Sequence, residues 1–536
     1  MAVKTEYRFT LADRVGSVVT MERIVWVIIG LGVLVRLAQF LANSSLWVDE
    51  AALAVSIIGT PYADLTKPLE FNTGSPLGFL VASKLSIQLF GSGEQALRLV
   101  PLLSGIGSIF LLYAVARHYI RPSAVPLALL LLATSTSVVR YSTFFRQYSS
   151  DMFIALLIIL VQTYAMRSGL AFRWLITYTL LGAAAVWFSH PSVFVLAGMG
   201  GIMGANYLLQ GNWRHAARVG AMSSAWLISF IASFKLTTVG DLATNEGIKN
   251  AISNYNSAFV PLFPTSLMDL QWYITVPFKL FDVPVGLPLT GLAAILLLIG
   301  ARAVFIKDSY KFFLLVSPMA ILFLASAARL YPISDRWFLF LVPSVLMLIA
   351  EGAMSLYGMT KNATPLIGIT LIGLLLLHPV ASEAFHLVEP RGSERVRPAL
   401  AHIQSRRTEG DALYIYSGGF KASTYYVDRF GMDDDEYTMG AHYVRDSSNA
   451  PREAEKWGAL ELYTSEIDEF IGNNRVWILF SNVNTDNGIN DETFLLHHLD
   501  GIGRRLETFR ADNAVVYLYD LSGTQASTTD IRPGRG

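Results

Sequence analysis

The chain has 536 residues, of which 53% are hydrophobic and only 15% charged, a balance that excludes an ordinary soluble enzyme and fits a protein crossing a bilayer several times. Its 41 basic and 41 acidic residues cancel, and no basic stripe interleaved with aromatic residues marks a nucleic-acid partner. The absence of cysteine excludes disulfides, thiolate nucleophiles and thiolate metal sites.

The first apolar run starts at Ile24, behind a polar and basic leader that contains Lys4, Arg8, Arg14 and Arg23. No small-residue cleavage pattern follows it, so it reads as a retained span. Further apolar segments lie at 97–116, 124–139, 152–165, 174–188, 193–209, 217–234, 285–301, 312–327, 337–350 and 365–377. That makes about eleven spans by the hydropathy criterion.

A twelfth apolar segment, 76–90, is short and carries Lys84 and Gln88. If it lies along the surface, simple alternation puts every short cationic loop on the cytoplasmic side: the N-terminus, Arg117 with Arg121, Arg167 with Arg173, Arg214 with Arg218, Arg302 with Lys307 and Lys311, and Lys361. If it crosses, every cluster after the first is inverted, so the non-crossing arrangement is preferred. The loop 43–95 then emerges outside, with 51–58 and 76–90 expected as amphipathic interfacial helices. The segment 140–151, the His190-Pro191 turn, the loop 235–284 and the turn 329–336 share that face.

From about Glu383 charged residues become frequent and apolar runs shorten. Helices are expected at 395–404 and 454–470, with short buried strands at 412–416, 476–480 and 515–519. The organisation expected is a transmembrane module over 1–382, an extracytoplasmic α/β domain over 383–523, and a disordered tail over 524–536.

Three constellations on the expected outer face could carry chemistry. Leu46-Trp47-Val48-Asp49-Glu50-Ala51 puts two carboxylates at the mouth of a span, where charge is costly unless used. The bland alternative is a helix first turn answering the backbone dipole. The segment from Arg140 to Asp151 contains Arg146 and Tyr148, and the turn Arg329-Leu330-Tyr331-Pro332-Ile333-Ser334-Asp335-Arg336 adds two guanidiniums suited to phosphate. Both could instead anchor the protein at lipid headgroups. His190 is a further candidate, though a lone histidine at a span end is more often structural. Arg36, inside the first run, requires a carboxylate or carbonyl partner. In the loop 235–284, Tyr255, Trp272 and Tyr273 offer aromatic faces to an acceptor. The combined inventory, a base for an acceptor and cations for a departing phosphate, suits group transfer from a phosphate leaving group.

These residues resemble a known family. Trp47-Val48-Asp49-Glu50-Ala51 is similar to the catalytic loop motif of the GT-C class of integral-membrane glycosyltransferases, in the branch of protein O-mannosyltransferases and aminoarabinose transferases. Ser75-Pro76-Leu77, Phe90-Gly91, Arg98-Leu99-Val100-Pro101, Arg146-Gln147-Tyr148-Ser149-Ser150-Asp151, Ser189-His190-Pro191 and Asp335-Arg336-Trp337 follow in the family's order. The resemblance implies an α-helical polytopic membrane protein of GT-C fold with a C-terminal extracytoplasmic α/β domain, in the plasma (inner) membrane with a cytoplasmic N-terminus. It implies a polyprenyl-phosphate sugar donor, a protein, lipid or glycan acceptor, and inverting displacement with Asp49 as base or acceptor-orienting residue and Glu50 beside it. Arg146, Arg329 and Arg336 would bind the lipid phosphate, with Arg140, Tyr331, Tyr148 and Asp151 shaping the site.

Two positions depart from the family pattern. Thr73-Gly74-Ser75 stands where relatives carry an acid, His or Lys before the proline, and Thr143-Phe144 replaces an Arg-Glu pair. No cofactor is certain, and a divalent cation stays open. Two other classes compete: a transporter or flippase for lipid-linked glycans, and a catalytically degenerate envelope-assembly protein.

Overall fold

A computed structural model describes residues 21–71, 74–237, 256–392, 395–433, 435–440, 452–485 and 489–523, without the side chains of 256 and 452–457. Lys4, Arg8, Arg14, Tyr255 and the tail 524–536 lie outside the described residues. The chain forms two compact units. The first comprises 1–42, 65–68 and 74–390; the second comprises 43–64, 69–73 and 391–536.

The helices of the first unit are α1 (Met21–Leu41), α3 (Leu77–Phe90), α4 (Glu94–Tyr119), α5 (Val125–Thr134), α6 (Thr136–Ser142), α7 (Tyr148–Arg167), α8 (Phe172–Phe188), α9 (Ser192–Leu209), α10 (Trp213–Thr237), α11 (Leu267–Asp282), α12 (Thr290–Lys307), α13 (Ser309–Ala327), α14 (Val342–Thr360) and α15 (Pro365–Val388). The second unit opens with α2 (Val48–Ile58). Among the described residues nine helices are long and apolar enough to span. The run expected at 124–139 is a bent pair, α5 and α6, meeting at 59°, and the run at 174–188 is the 17-residue α8. Among the described residues nine of the eleven expected spans, ten if the bent pair counts as one, are thus long and apolar enough to cross, and the remaining run is the shorter α8. At 1.5 Å per residue the 14-residue α3 extends about 21 Å, short of a hydrocarbon core of about 30 Å.

The bend between α5 and α6 explains Arg36. A broken helix frees carbonyls that lipid cannot satisfy. The fully buried Arg36 guanidinium donates to Leu132 O at 3.2 Å and Ala133 O at 3.5 Å, at the end of α5, and to Gly32 O at 2.9 Å. The charge is thereby spread over oxygens that needed donors. Helices α12 and α14 meet backbone to backbone. A Cβ on Gly300 would stand 1.8 Å from Leu348 O, and one on Gly352 would stand 1.9 Å from Leu296 O, so only glycine permits this approach.

The second unit is an α/β sandwich with α16 (Val396–Arg406), β1 (Ala412–Ile415), α17 (Phe420–Val427), β2 (Thr438–Met439), α18 (Arg452–Asp468), β3 (Val476–Ser481), α19 (Asp491–Ile502), β4 (Arg504–Ala511) and β5 (Ala514–Asp520). Strand order is β2-β1-β3-β5-β4, with β1 parallel to both β2 and β3, and β5 antiparallel to β3 and β4. The core holds Tyr414, Ile478, Phe480, Tyr517 and Leu499. Burial pushes the Asp411 carboxyl up, but donors from Arg475, Trp477 and Thr408 more than offset it and hold it below the usual carboxylate range. The Trp477 indole donates to it at 2.7 Å.

The loop expected to lie with the bundle is divided by the structure. Segment 43–64, including α2, belongs to the second unit. The Tyr426 hydroxyl of α17 accepts Leu46 N–H at 2.8 Å, and Arg397 donates to Asn43 O at 2.6 Å. Helix α2 is not amphipathic: Ala51, Ala52, Leu53, Ala54 and Ile57 are all buried, and a helix apolar on every side is a core helix.

Candidate active site

The site residues of the first unit come from four segments. The end of α6 supplies Arg140 and Tyr141, the turn into α7 supplies Arg146, Tyr148 and Asp151, the turn before α9 supplies Ser189 and His190, and the stretch after α13 supplies Tyr331 and Arg336. The break before α6 directs its polar end away from the line of α5. The α7 turn is tied to the start of the α3 segment by Ser75, whose hydroxyl donates to Gln147 Oε1 at 3.1 Å.

Tyr148 is the hub. Its buried ring lies 5.2 Å from that of Tyr141, edge to face, and the Arg336 guanidinium sits 5.8 Å from its centroid. Arg336 also stands over Trp337 at 6.0 Å, and Trp337 lies 6.1 Å from Tyr331. Tyr331 packs against Phe194 of α9 at 5.0 Å. Burial raises the Tyr331 phenol well above its usual ionisation, and the Asp151 carboxylate and Tyr148 add to the shift, so these three groups share one environment. Arg140 stands over Phe144 at 5.9 Å and feels the same neighbours through Tyr141.

Six buried polar atoms here make no hydrogen bond of standard geometry within the protein: Arg146 Nε and Nη1, Ser149 Oγ, Asp151 Oδ1, Ser189 Oγ and His190 Nε2. Ser189 faces Asp151. Each such atom costs roughly 1–3 kcal/mol, so their concentration in one place calls for a use. Burial also pushes the His190 imidazole down to about 4, leaving it neutral at pH 7.

Sequence reasoning grouped Arg140, Arg146, Tyr148, Asp151, Tyr331 and Arg336; it quoted Gln147, Ser149 and Trp337 within motifs without giving them a role, and passed over Phe194. Aromatic residues inside apolar runs read as core, and serines in a polar turn carry no distinguishing pattern. Arg329, at φ 57°, holds its guanidinium 5.9 Å over Phe259. Asp49 and Glu50 belong to the second unit, in the first turn of α2. Glu50 is fully buried and accepts Trp47 N–H at 3.0 Å, satisfying one orphan donor of the helix start. Asp49 is half-buried. Among the described residues no group of three or more His, Asp or Glu is placed to hold a metal ion, and no step is assigned to one.

This arrangement of helices with an α/β appendage is the fold of the GT-C class of membrane glycosyltransferases. The profile of the family described as dolichyl-phosphate-mannose-protein mannosyltransferase matches residues 74–234. Among solved structures the chain is similar to ArnT from Cupriavidus metallidurans bound to undecaprenyl phosphate, at 12% identity over 94% of this chain and 99% of that one, with a TM-score of 0.52. It is also similar to the oligosaccharyltransferase of Archaeoglobus fulgidus in complex with Zn and sulfate, at 13% identity over 92% and 73% of the chains, with a TM-score of 0.51. The archaeal oligosaccharyltransferase AglB of Archaeoglobus fulgidus, in complex with an inhibitory peptide and a dolichol-phosphate, matches at 12% identity over 95% and 75%, with a TM-score of 0.50. A search of curated protein sequences gave no match. The chain is a multi-pass membrane protein of this fold.

Proposed function

We propose that the chain transfers a sugar from a polyprenyl-phosphate carrier to an acceptor hydroxyl on the extracytoplasmic side, with inversion at the anomeric carbon. The observation that carries this reading is the Arg146 guanidinium, whose buried Nε and Nη1 have no partner in the protein, two residues from Tyr148, over which Arg336 stands. A buried cation with unused donors is arranged for an anion. In the reaction the acceptor oxygen bonds to the anomeric carbon as the bond from that carbon to the phosphate oxygen breaks. The lipid phosphate leaves with the electron pair, and Arg146 and Arg336 stabilise the charge as it develops. The acceptor proton passes to Asp49, a role assigned by the motif. Glu50 supports that turn through its cap.

The test supplies the full-length protein, reconstituted in nanodiscs, with a panel of polyprenyl-phosphate sugars, and measures release of free polyprenyl phosphate. Turnover with one donor, lost in Arg146→Gln, supports the proposal. Absence of release with every donor would overturn it.

A further inference from the structure

Beside the arginine cluster lies a cavity of about 380 Å³, within the range of small-molecule sites, that the phosphate chemistry leaves unused. One wall is α11. Its exposed residues Leu267, Leu270, Ile274 and Phe278 follow one another along a stripe suited to the bilayer interface. The neighbouring face presents Gln271, Trp272, Thr275 and Lys279 to the cavity. The other wall is the turn through Ser334 and Asp335.

The cavity is built rather than left over. Ile333 N–H donates to Ala258 O at 2.7 Å, and the Trp272 indole N–H donates to Ser257 O at 2.9 Å, so the turn, a short 3-10 segment at 256–258 and α11 are clasped together. The Trp272 ring is held edge-on between Phe323 and Tyr273. The one ammonium of the lining, Lys279, stands 4.0 Å from the carboxylate of Asp335, so the two charges cancel.

That chemistry selects a ligand. An anion would require surplus positive charge, and an alkyl chain would strand the amide and hydroxyls. A ring bearing several hydroxyls fits the edge of Trp272 together with the Gln271 amide, the Ser334 hydroxyl, the Thr275 oxygen, which donates to Gln271 O at 2.9 Å and can still accept, and the balanced ion pair. Position agrees: Asp335, in the lining, immediately precedes Arg336, whose guanidinium stands over Tyr148. A neutral cavity one residue from a cationic cluster matches a ligand in which a sugar adjoins a phosphate.

We infer that this cavity is a saccharide subsite, taking either the sugar of the donor or a sugar unit of the acceptor; the inference rests on the proposed sugar transfer for its place in the reaction, but not for its test. The full-length protein in nanodiscs is probed by saturation-transfer NMR with methyl α-D-mannopyranoside, methyl α-D-glucopyranoside, methyl α-D-galactopyranoside and methyl α-D-arabinofuranoside. Two variants at exposed positions are compared: Thr275→Phe, which fills the cavity, and Gln271→Ala, which removes its amide. At least one glycoside is expected to bind the wild type, with affinity reduced about fivefold by Gln271→Ala, the effect of one hydrogen bond, and more by Thr275→Phe. Binding of none, or binding that neither variant alters, overturns the subsite. A higher donor KM in donor hydrolysis without acceptor assigns it to the donor sugar. Unchanged hydrolysis with weaker glycoside binding assigns it to the acceptor. Because glycoside binding needs no turnover, its presence without lipid-phosphate release would refute the transfer reaction and leave the subsite standing.

Discussion

The Arg336 guanidinium stands over the Tyr148 ring, 5.8 Å from carbon to centroid, which joins the stretch after α13 to the first turn of α7. Such a cation–π contact positions the guanidinium, whose planar N–H fork suits bidentate phosphate recognition. Lysine keeps the charge but neither stacks as a plane nor presents a fork. Arg336→Lys should therefore lower kcat/KM for the lipid-linked donor by about 10²-fold, the cost of one transition-state donor, with an unchanged melting midpoint. Steady-state release of polyprenyl phosphate measures it, and a loss below threefold (about 0.6 kcal/mol) would remove Arg336 from the phosphate site.

Arg146 makes a contrasting prediction. Two of its donors are buried without protein partners, so the ligand-free fold carries a cost that a methionine of similar length would relieve. Arg146→Met should raise the stability of the ligand-free protein by about 1–3 kcal/mol while abolishing release. Adding free polyprenyl phosphate should raise the melting temperature of the wild type and leave the variant unmoved. A variant that melts lower than the wild type would show a structural role instead.

The adjacent acids of α2 should separate cleanly. Glu50 is buried and caps the helix, whereas Asp49 is half-buried in the same turn. Glu50→Ala should cost about 0.5–2 kcal/mol of stability. Asp49→Asn should leave stability within about 0.5 kcal/mol and abolish sugar transfer. Thermal unfolding beside an activity assay distinguishes them, and residual transfer by Asp49→Asn would move the base elsewhere.

Hydropathy made all eleven long runs legible, because a bilayer demands one signal: continuous apolar helix. It could not show that the run at 124–139 breaks at Ser135, since the carbonyls freed there are satisfied by Arg36 from a helix far away in sequence. Arg36 itself was legible as a charge in need of oxygens. Helix α2 misled because alanines have the same composition whether a helix lies on a membrane or is buried all round. In the second unit the three strands with buried apolar runs were readable. The two-residue β2 and the edge strand β4, Arg504–Ala511, were not, because β4 opens on three exposed residues and then alternates half-buried Glu507, Phe509 and Ala511 with exposed Thr508 and Arg510. In the site, charged residues announced themselves. Trp337 and the buried serines did not, because their significance lies in what they face.

His190 supplies a prediction in pH. Burial holds its imidazole down to about 4, against about 6.5 in an unfolded chain. Above pH 6.5 both states are neutral and the residue has no effect. As pH falls from 6.5 towards 4 the unfolded chain takes up the proton first, so the folded state loses stability; below 4 both are protonated and the loss is complete. The shift corresponds to about 3 kcal/mol, and discounting for a side chain that is only half-buried leaves roughly 2 kcal/mol. The difference in melting temperature between wild type and His190→Gln should therefore shift against the wild type as pH is lowered from 7 to 4.5. Parallel curves for the two proteins across that interval would mean that His190 is solvated, and that the turn before α9 is not part of the dry site around Asp151.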